Sequence, residues 1–317
     1  MLLYAYFRIV IKPSGEEAII VLPVPVPKEA NPRLGAPSRL VWLAIWSTLL
    51  VTALIVPNMQ LRSSAAQPRL VSADSFTGSV STKDRSLQVM TYNIRHTEGM
   101  DGRVNPQAVL RELKAAKADV IALQEVDRLQ WRSGLQDQAR YFAQAMGMHC
   151  IYAPAIRHGV SQYGIALLSR YPLEAPQIHR LTGGREPRLL LTAELRLPDR
   201  TVTVATTHLS VEAEGRTREW PQLLAALRIE KTPLILLGDF NSPSSSPELQ
   251  ETVRGLGLKE IRPKPTSLPT VAHGGRIDHI FTNLPAERPA LVRDSRASDH
   301  RPVSARLNET EIPLRPR

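Results

Sequence analysis

Short apolar runs recur from Leu87 toward the C-terminus, each too brief for a helix and each followed by a helix signal or a turn. Runs of that length, alternating with capped helices, build a layered sheet whose strands are covered on both faces. LQVMTYNI is the first strand. Asn105-Pro106 then supplies an N-cap and an N1 proline for a helix running to about Lys117. DVIALQE, residues 119–125, is the second strand, and Asp137 caps a helix that Gly147 ends. Further strands are expected at 150–153, 164–169, 188–197 and 201–207, the last two joined through Pro198-Asp199-Arg200 as an antiparallel hairpin. A helix at 221–229, a strand at 234–237, a helix from Ser246-Pro247, and strands at 277–281, 290–292 and 303–307 complete the pattern. The hairpin argues against a purely parallel sheet. The expected class is therefore α/β, with two packed mixed sheets and helices outside them.

At six places a polar or ionisable residue stands where an apolar strand runs out: Asn93 in TYNIR, Glu125 in LQEVD, His208 in THLS, Asp239 and Asn241 in GDFNS, Asp278 in RIDHIF, and Asp299-His300 in SDHRP. Each alone has an ordinary explanation. Asn93 or Asn241 suits an Asx turn, Glu125 an exposed strand end, His208 a satisfied core position, and Asp299 a cap. Strand ends on one sheet edge converge in space, however, so the six together form one site. Asp239 and Asn241, two apart in an extended segment, are expected to point to the same side.

Such a set suits metal-assisted attack of water on a phosphate ester. Glu125 with Asn93 offers hard oxygen ligands for Mg²⁺, with Mn²⁺ as the alternative ion. Asp278 beside His300 would fix the imidazole tautomer and stabilise its protonated form. Asn241 and His208 would donate to the non-bridging oxygens. Cys150 is the sole cysteine, which excludes an intrachain disulfide framework and a thiolate metal cluster. No GxSxG, HExxH, P-loop or GxGxxG pattern competes for the chemistry in this part of the chain.

TYNIR, LQEVD, THLS, GDFNS, RIDHIF and SDHRP, in this order, resemble the endonuclease/exonuclease/phosphatase superfamily of DNase-I-like, metal-dependent phosphoesterases. The resemblance covers residues 87–310 and implies a four-layer sandwich, two mixed sheets flanked by helices, with the catalytic centre at one edge. It also implies roles: Glu125, Asn93 and Asp299 at the Mg²⁺ site, His208 and Asn241 on the scissile phosphate, Asp239 orienting or deprotonating the water, and Asp278 paired with His300. Whether Asp239 or the Asp278-His300 pair is the base stays open. NIRHTEGMDG and VDRLQWRSGLQDQ are further similar to a bacterial, often exported branch that is itself similar to the C-terminal domain of GPI-lipid-remodelling proteins.

The first 86 residues differ from the rest. Residues 40–57, LVWLAIWSTLLVTALIVP, are 18 without a charge. As a helix they would measure roughly 27 Å, against about 30 Å of bilayer core. Arg39 and Arg62 flank the run, and Trp42 and Trp46 lie toward one end, where an interface belt would put them. The segment reads as an uncleaved single-pass anchor, or as a signal if Ser64-Ala65-Ala66 is cut, which would make the protein secreted. Lys28, Arg33 and Arg39 before it, against Arg62 and Arg69 after it, favour an extracytoplasmic C-terminal domain. Residues 1–39 show no usable period, an upstream mis-start being one reading of them. Residues 58–86 read as a flexible linker and 311–317 as a tail.

The chain of 317 residues carries 40 Lys plus Arg against 30 Asp plus Glu, net +10, which favours an anionic partner. No dense basic run marks a nucleic-acid arm. Arg95, His96, Arg132, Arg185 and Arg188 are predicted in loops around the site, where they would clamp a second phosphate or a headgroup. The first expectation is a membrane-anchored, monomeric phosphodiesterase acting on a lipid headgroup or other small phosphoester. An exported nonspecific nuclease acting on nucleic acid and a non-catalytic tethered binding module are the alternatives.

Overall fold

The computed structural model describes residues 3–11, 18–26, 69–71, 86–230 and 233–308. The chain divides into two units, residues 1–62 and 63–317. In the first, β1 (Leu3–Ile11) and β2 (Ala18–Val26) pair antiparallel, in a stretch where the sequence suggested no element. Pro23 and Pro25 stand within β2, which a two-stranded sheet tolerates because each strand has an unpaired edge. The proposed span at 40–57 lies outside the described residues. Among the described residues, no helix is long and apolar enough to cross a membrane.

The second unit opens with β3 (Arg69–Val71), β4 (Ser86–Asn93), α1 (Pro106–Ala116), β5 (Val120–Arg128), α2 (Gln138–Met146), β6 (His149–His158) and β7 (Ser161–Ser169). It continues with β8 (Leu173–Leu181), β9 (Arg188–Arg196), β10 (Thr201–His208), α3 (Ala213–Arg228), β11 (Leu234–Asp239) and α4 (Pro247–Gly255). Last come β12 (Lys259–Glu260), β13 (Asp278–Thr282), β14 (Leu291–Val292) and β15 (Val303–Asn308). One sheet has the order β14-β15-β4-β5-β7-β6-β3 and the other β12-β13-β11-β10-β9-β8. Each is built around a parallel pair, β4/β5 and β10/β11. The caps act as read: Asn105 accepts from the Ala108 N–H, Asp137 from Arg140 N–H, and Gly147 ends α2 in the left-handed region.

Strand alternation sorts the apolar residues into layers. Leu87, Val89, Val120 and Ala122 pack with Leu191, Val204, Ile235 and Leu237 in a core between the sheets. Their strand neighbours Met90, Tyr92, Ile121 and Leu123 point the other way, onto Val109 and Leu113 of α1 and Phe142 of α2. Leu190, Ala205, Leu234 and Leu236 meet Trp220 and Leu223 of α3 and Leu249 of α4. The result is the α/β/β/α order, and it explains why the strand sequences are apolar at consecutive positions.

Further elements depart from expectation, the two-residue β12 among them. β3 pairs with β6 inside the stretch taken as a linker. β8 passes unnoticed because Pro176 interrupts it; it is an edge strand, and the register with β9 shifts between Glu174 and Gln177, where a proline is tolerated. α3 starts at Ala213 and not at Pro221, which sits inside it. Burial of Glu219, Trp220, Leu223 and Leu227 on one face accounts for the helix running through the proline.

Gly238 lies in β11 opposite Thr207 of the parallel strand β10, where a Cβ would stand 2.2 Å from the Thr207 carbonyl oxygen. Gly238→Ala is expected to lower the stability of the chain by about 1–3 kcal/mol, as overpacking does. Chemical denaturation with far-UV circular dichroism reads the change; a variant as stable as the parent would remove the close approach as the reason for this glycine.

Candidate active site

Both parallel pairs end at the same edge. β4 delivers Asn93, β10 delivers His208, and β11 delivers Asp239, while Asp278 begins β13 directly opposite Asp239. Glu125 arrives differently from the expectation that its strand ends there. β5 runs on to Arg128, but its register with β7 skips from Leu123 to Val126, and Glu125 takes φ +58° in this bulge. The bulge turns one carboxylate out of a continuing strand, a common use of the device beside active sites.

Asn93 is fully buried and links the two sheets. Its Nδ2 donates to Glu125 Oε1 at 2.9 Å and to Asp239 Oδ2 at 3.0 Å, and its Oδ1 accepts from Arg95 N at 3.0 Å. Asp239 Oδ1 accepts from Asn241 N at 3.0 Å. Asn241 is not on an extended segment with Asp239; it sits at φ +47°, a left-handed position asparagine tolerates, and its Nδ2 donates to Leu209 O at 2.8 Å. The pairing of these two residues therefore comes from a turn closed on the carboxylate.

Two histidines approach Asp239 Oδ2 through Nε2, His208 at 3.4 Å and His300 at 3.7 Å. Arg188 Nη1 lies 3.0 Å from His208 Nδ1. Arginine only donates, so Nδ1 accepts and the proton of the neutral ring is on Nε2, facing the site. Burial, then the charges of Arg188 and His300, hold His208 well below the usual histidine range, so it stays neutral. His300 is the opposite. Burial pulls its pKa down, but the charge and hydrogen bond of Asp278, 2.9 and 3.1 Å from Nδ1, with Asp239 and Asp299, raise it to about 10. Asp239 is pushed up to about 7, first by burial and then by Asp278, against the lowering effects of His300, Asn93 and Asn241. Asp239, Asp278 and His300 each place a ligand-type atom within 4.8 Å of the others.

The remaining expected residues are spread around this centre. Asp299, its side chain 36% exposed, lies 3.7 Å from Arg95 Nε, and Arg95 also pairs with Glu98 at 3.1 Å. His96 Nε2 lies 3.3 Å from Glu98, while its Nδ1 is buried without a hydrogen-bond partner. Arg132 makes a bidentate pair with buried Asp127, both contacts 2.8 Å, and lies over the Tyr163 ring. Arg188 is buried on His208, so its place is to set that ring's tautomer; Arg185 is exposed. Residues the sequence did not single out hold the frame. Ser298 Oγ donates to Asn93 O at 2.8 Å and accepts from His300 N at 3.2 Å. Thr270 Oγ1 accepts from Ile277 N and Asp278 N. Buried Glu219 accepts from Ser210 N and Oγ, just beyond His208. Of these, Ser298 and Ser210 lay inside recognised motifs, SDHRP and THLS, and Thr270 and Glu219 did not.

The sequence profile of the Endonuclease/Exonuclease/phosphatase family matches residues 90–300. A UPF0294 protein of Vibrio parahaemolyticus is 25% identical over 244 residues, 74% of this chain and 83% of that one. The crystal structure of an endonuclease/exonuclease/phosphatase from Beutenbergia cavernae is 22% identical, with a TM-score of 0.58 over 71% of this chain and 72% of that chain. The human Nocturnin catalytic domain, solved with a bound sulfate anion, is 20% identical, with a TM-score of 0.57 over 76% and 97%.

Proposed function

Since the chain belongs to the endonuclease/exonuclease/phosphatase family of phosphoester-hydrolysing enzymes, we propose that it is a membrane-anchored, metal-dependent phosphodiesterase that cleaves a lipid headgroup ester or other small phosphoester by in-line attack of water. The observation that carries the reading is Asp239: a buried carboxylate with a pKa near 7, its Oδ2 within reach of Asn93, His208 and His300. A base works best with a pKa near the ambient pH, and Asp239 meets that condition. His300 stays protonated at neutral pH and cannot take a proton, so the base is Asp239 and the Asp278-His300 pair is its charge partner. His208, neutral with its proton on Nε2, donates to a non-bridging phosphate oxygen, and Asn241 closes the turn beside it.

Glu125, Asn93 and Asp299 are the residues to hold the ion. Their donors are hard oxygens, and Glu125 has Asn93, through Oε1, as its hydrogen-bond partner among the described residues, which fits Mg²⁺ or Mn²⁺ better than a thiophilic metal. The ion would supply neutralisation of charge on a phosphate oxygen. Anchoring and an extracytoplasmic catalytic unit rest on residues 40–57 and the flanking charges, and the lipid substrate on that membrane-proximal placement together with a basic excess that is not focused in a dense run.

The test is hydrolysis of bis-p-nitrophenyl phosphate by the purified chain after EDTA treatment. Activity is expected to return with Mg²⁺ or Mn²⁺, and Glu125→Ala is expected to raise the ion concentration for half-maximal rate at least about tenfold, as loss of a metal-site group does. Inactivity with Mg²⁺, Mn²⁺ and Ca²⁺ would leave a tethered binding module. Headgroup release from phosphoinositide, sphingomyelin or GPI-type lipids, set against plasmid nicking, separates the lipid reading from a nuclease.

A further inference from the structure

Just beyond Glu125 the chain forms a second feature of the catalytic edge. Residues 129–135 leave β5 and lie against the β6–β7 hairpin tip: Ser161 Oγ donates to Leu129 O at 2.7 Å, and Arg128 stands opposite Gln162 in the ladder. This tip exposes three large apolar side chains, Trp131 at 82%, Val160 at 62% and Leu135 at 49%. The loop is fixed from within. Leu129 N donates to Gln136 O, Leu135 N to Gln130 O, and Arg132 is locked on Asp127. Leu129 and Leu135 both adopt left-handed backbone, at φ +53° and +58°, a conformation branched apolar residues avoid unless the surroundings impose it. A rigid, strained loop thus holds a tryptophan in water.

The charged side chains within the tip's two segments are basic, although Arg132 is paired with buried Asp127 and Arg128 with Asp137 just outside them. Arg132, Arg157 and His158 stand among the three apolar residues, and neither 128–136 nor 155–163 contains an aspartate or glutamate. Aromatic and aliphatic side chains interleaved with basic ones suit the phospholipid interface, where rings sit at headgroup depth and cations meet lipid phosphates. We propose that this tip docks on an anionic phospholipid bilayer, Trp131, Leu135 and Val160 entering the interface and Arg132, Arg157 and His158 meeting the phosphates. Docked in this way, the edge bearing Glu125 and Asp239 faces the headgroups. The inference rests on the lipid reading above for its purpose, but membrane contact is read separately from hydrolysis.

The full chain with Trp42→Phe, Trp46→Phe and Trp220→Phe keeps Trp131 as its one tryptophan. Reconstituted into vesicles of phosphatidylcholine with phosphatidylglycerol, it is expected to show Trp131 emission shifted to the blue and quenched by lipids brominated on their acyl chains. The shift and the quenching should shrink in pure phosphatidylcholine and in high salt. Water-like emission without quenching in the anionic vesicles overturns the proposal. So does a blue shift that appears only with a short DNA duplex, which would assign the tip to nucleic acid. Should the triple variant fail to fold, Leu135→Cys carrying a polarity-sensitive dye reports the same contact, since Cys150 is buried and its thiol is held well above the usual range by burial. Hydrolysis of bis-p-nitrophenyl phosphate, measured on the same samples, separates failure of the enzyme reading from failure of docking: Trp131→Ser should retain it while losing rate on vesicle-borne substrate.

Discussion

Asp239→Ala is expected to lower kcat on a phosphodiester by about 10²–10⁴-fold with little change in KM, the range general-base catalysis supplies. Asp239 Oδ2 is where Asn93, His208 and His300 meet, so the substitution removes the proton acceptor and the anion that the other groups surround. It also leaves Asn93 Nδ2 and Asn241 N short of an acceptor, at a cost of about 1–3 kcal/mol. Thermal melting of the variant separates that cost from the chemical one. Retention of the rate within a few-fold, in a variant that melts cooperatively, would end the assignment. The parent should also show a rate that climbs as pH rises through about 7, where Asp239 ionises. Its stability moves the other way in the metal-free chain. The folded value lies above the ordinary 3.8, so the folded state keeps the proton longer, and the associated stability is full below about pH 4 and lost as pH rises through about 7.

Asp278→Asn should come next in size, with a kcat loss of about 10²-fold or more. The carboxylate holds His300 protonated against burial. Without it, His300 is expected to lose its charge near or below the ordinary 6.5 and to cease stabilising ionised Asp239. The pH–rate profile carries the evidence: the alkaline limb should move from near 10 toward neutrality, a displacement that a purely structural role would not produce. Stability follows the same sign rule. The parent's contribution from His300 is full below pH 6.5 and is lost as pH rises through about 10, whereas in the variant this contribution to the melting temperature should be absent from that window. An unmoved alkaline limb would show that His300 is not the titrating group.

The frame of the molecule was legible because it depends on local signals. Asn105, Asp137 and Gly147 announce helix ends by their own chemistry, and the strand runs are apolar at successive positions because both faces are buried. β8 was not legible, since an edge strand with a proline and a register shift loses its period. Nor was the true start of α3, whose first turns are polar and whose Pro221 imitates a beginning. In the site, the polar strand-end residues stood out by position, but their geometry did not. No rule of sequence puts Glu125 in a left-handed bulge, or closes the Asn241 turn on Asp239. Ser298 and Thr270 act on backbone atoms that are neighbours only after folding; the Ser298 bond to Asn93 spans 205 positions.

The place of β15 in its sheet bears on how the protein is made. It pairs with β4 from Asn308 opposite Ser86 to Val303 opposite Thr91, and the segment just before it carries Ser298 and His300 to Asn93 and Asp278. A nascent chain therefore holds β4 with one flank bare while some two hundred further residues emerge. No fragment that stops short of β15 can assemble the catalytic edge, because that strand is inserted between β14 and β4 and the segment before it supplies His300. The enzyme comes into being only when β4 and β15 meet, and until then the polypeptide is a thread without chemistry.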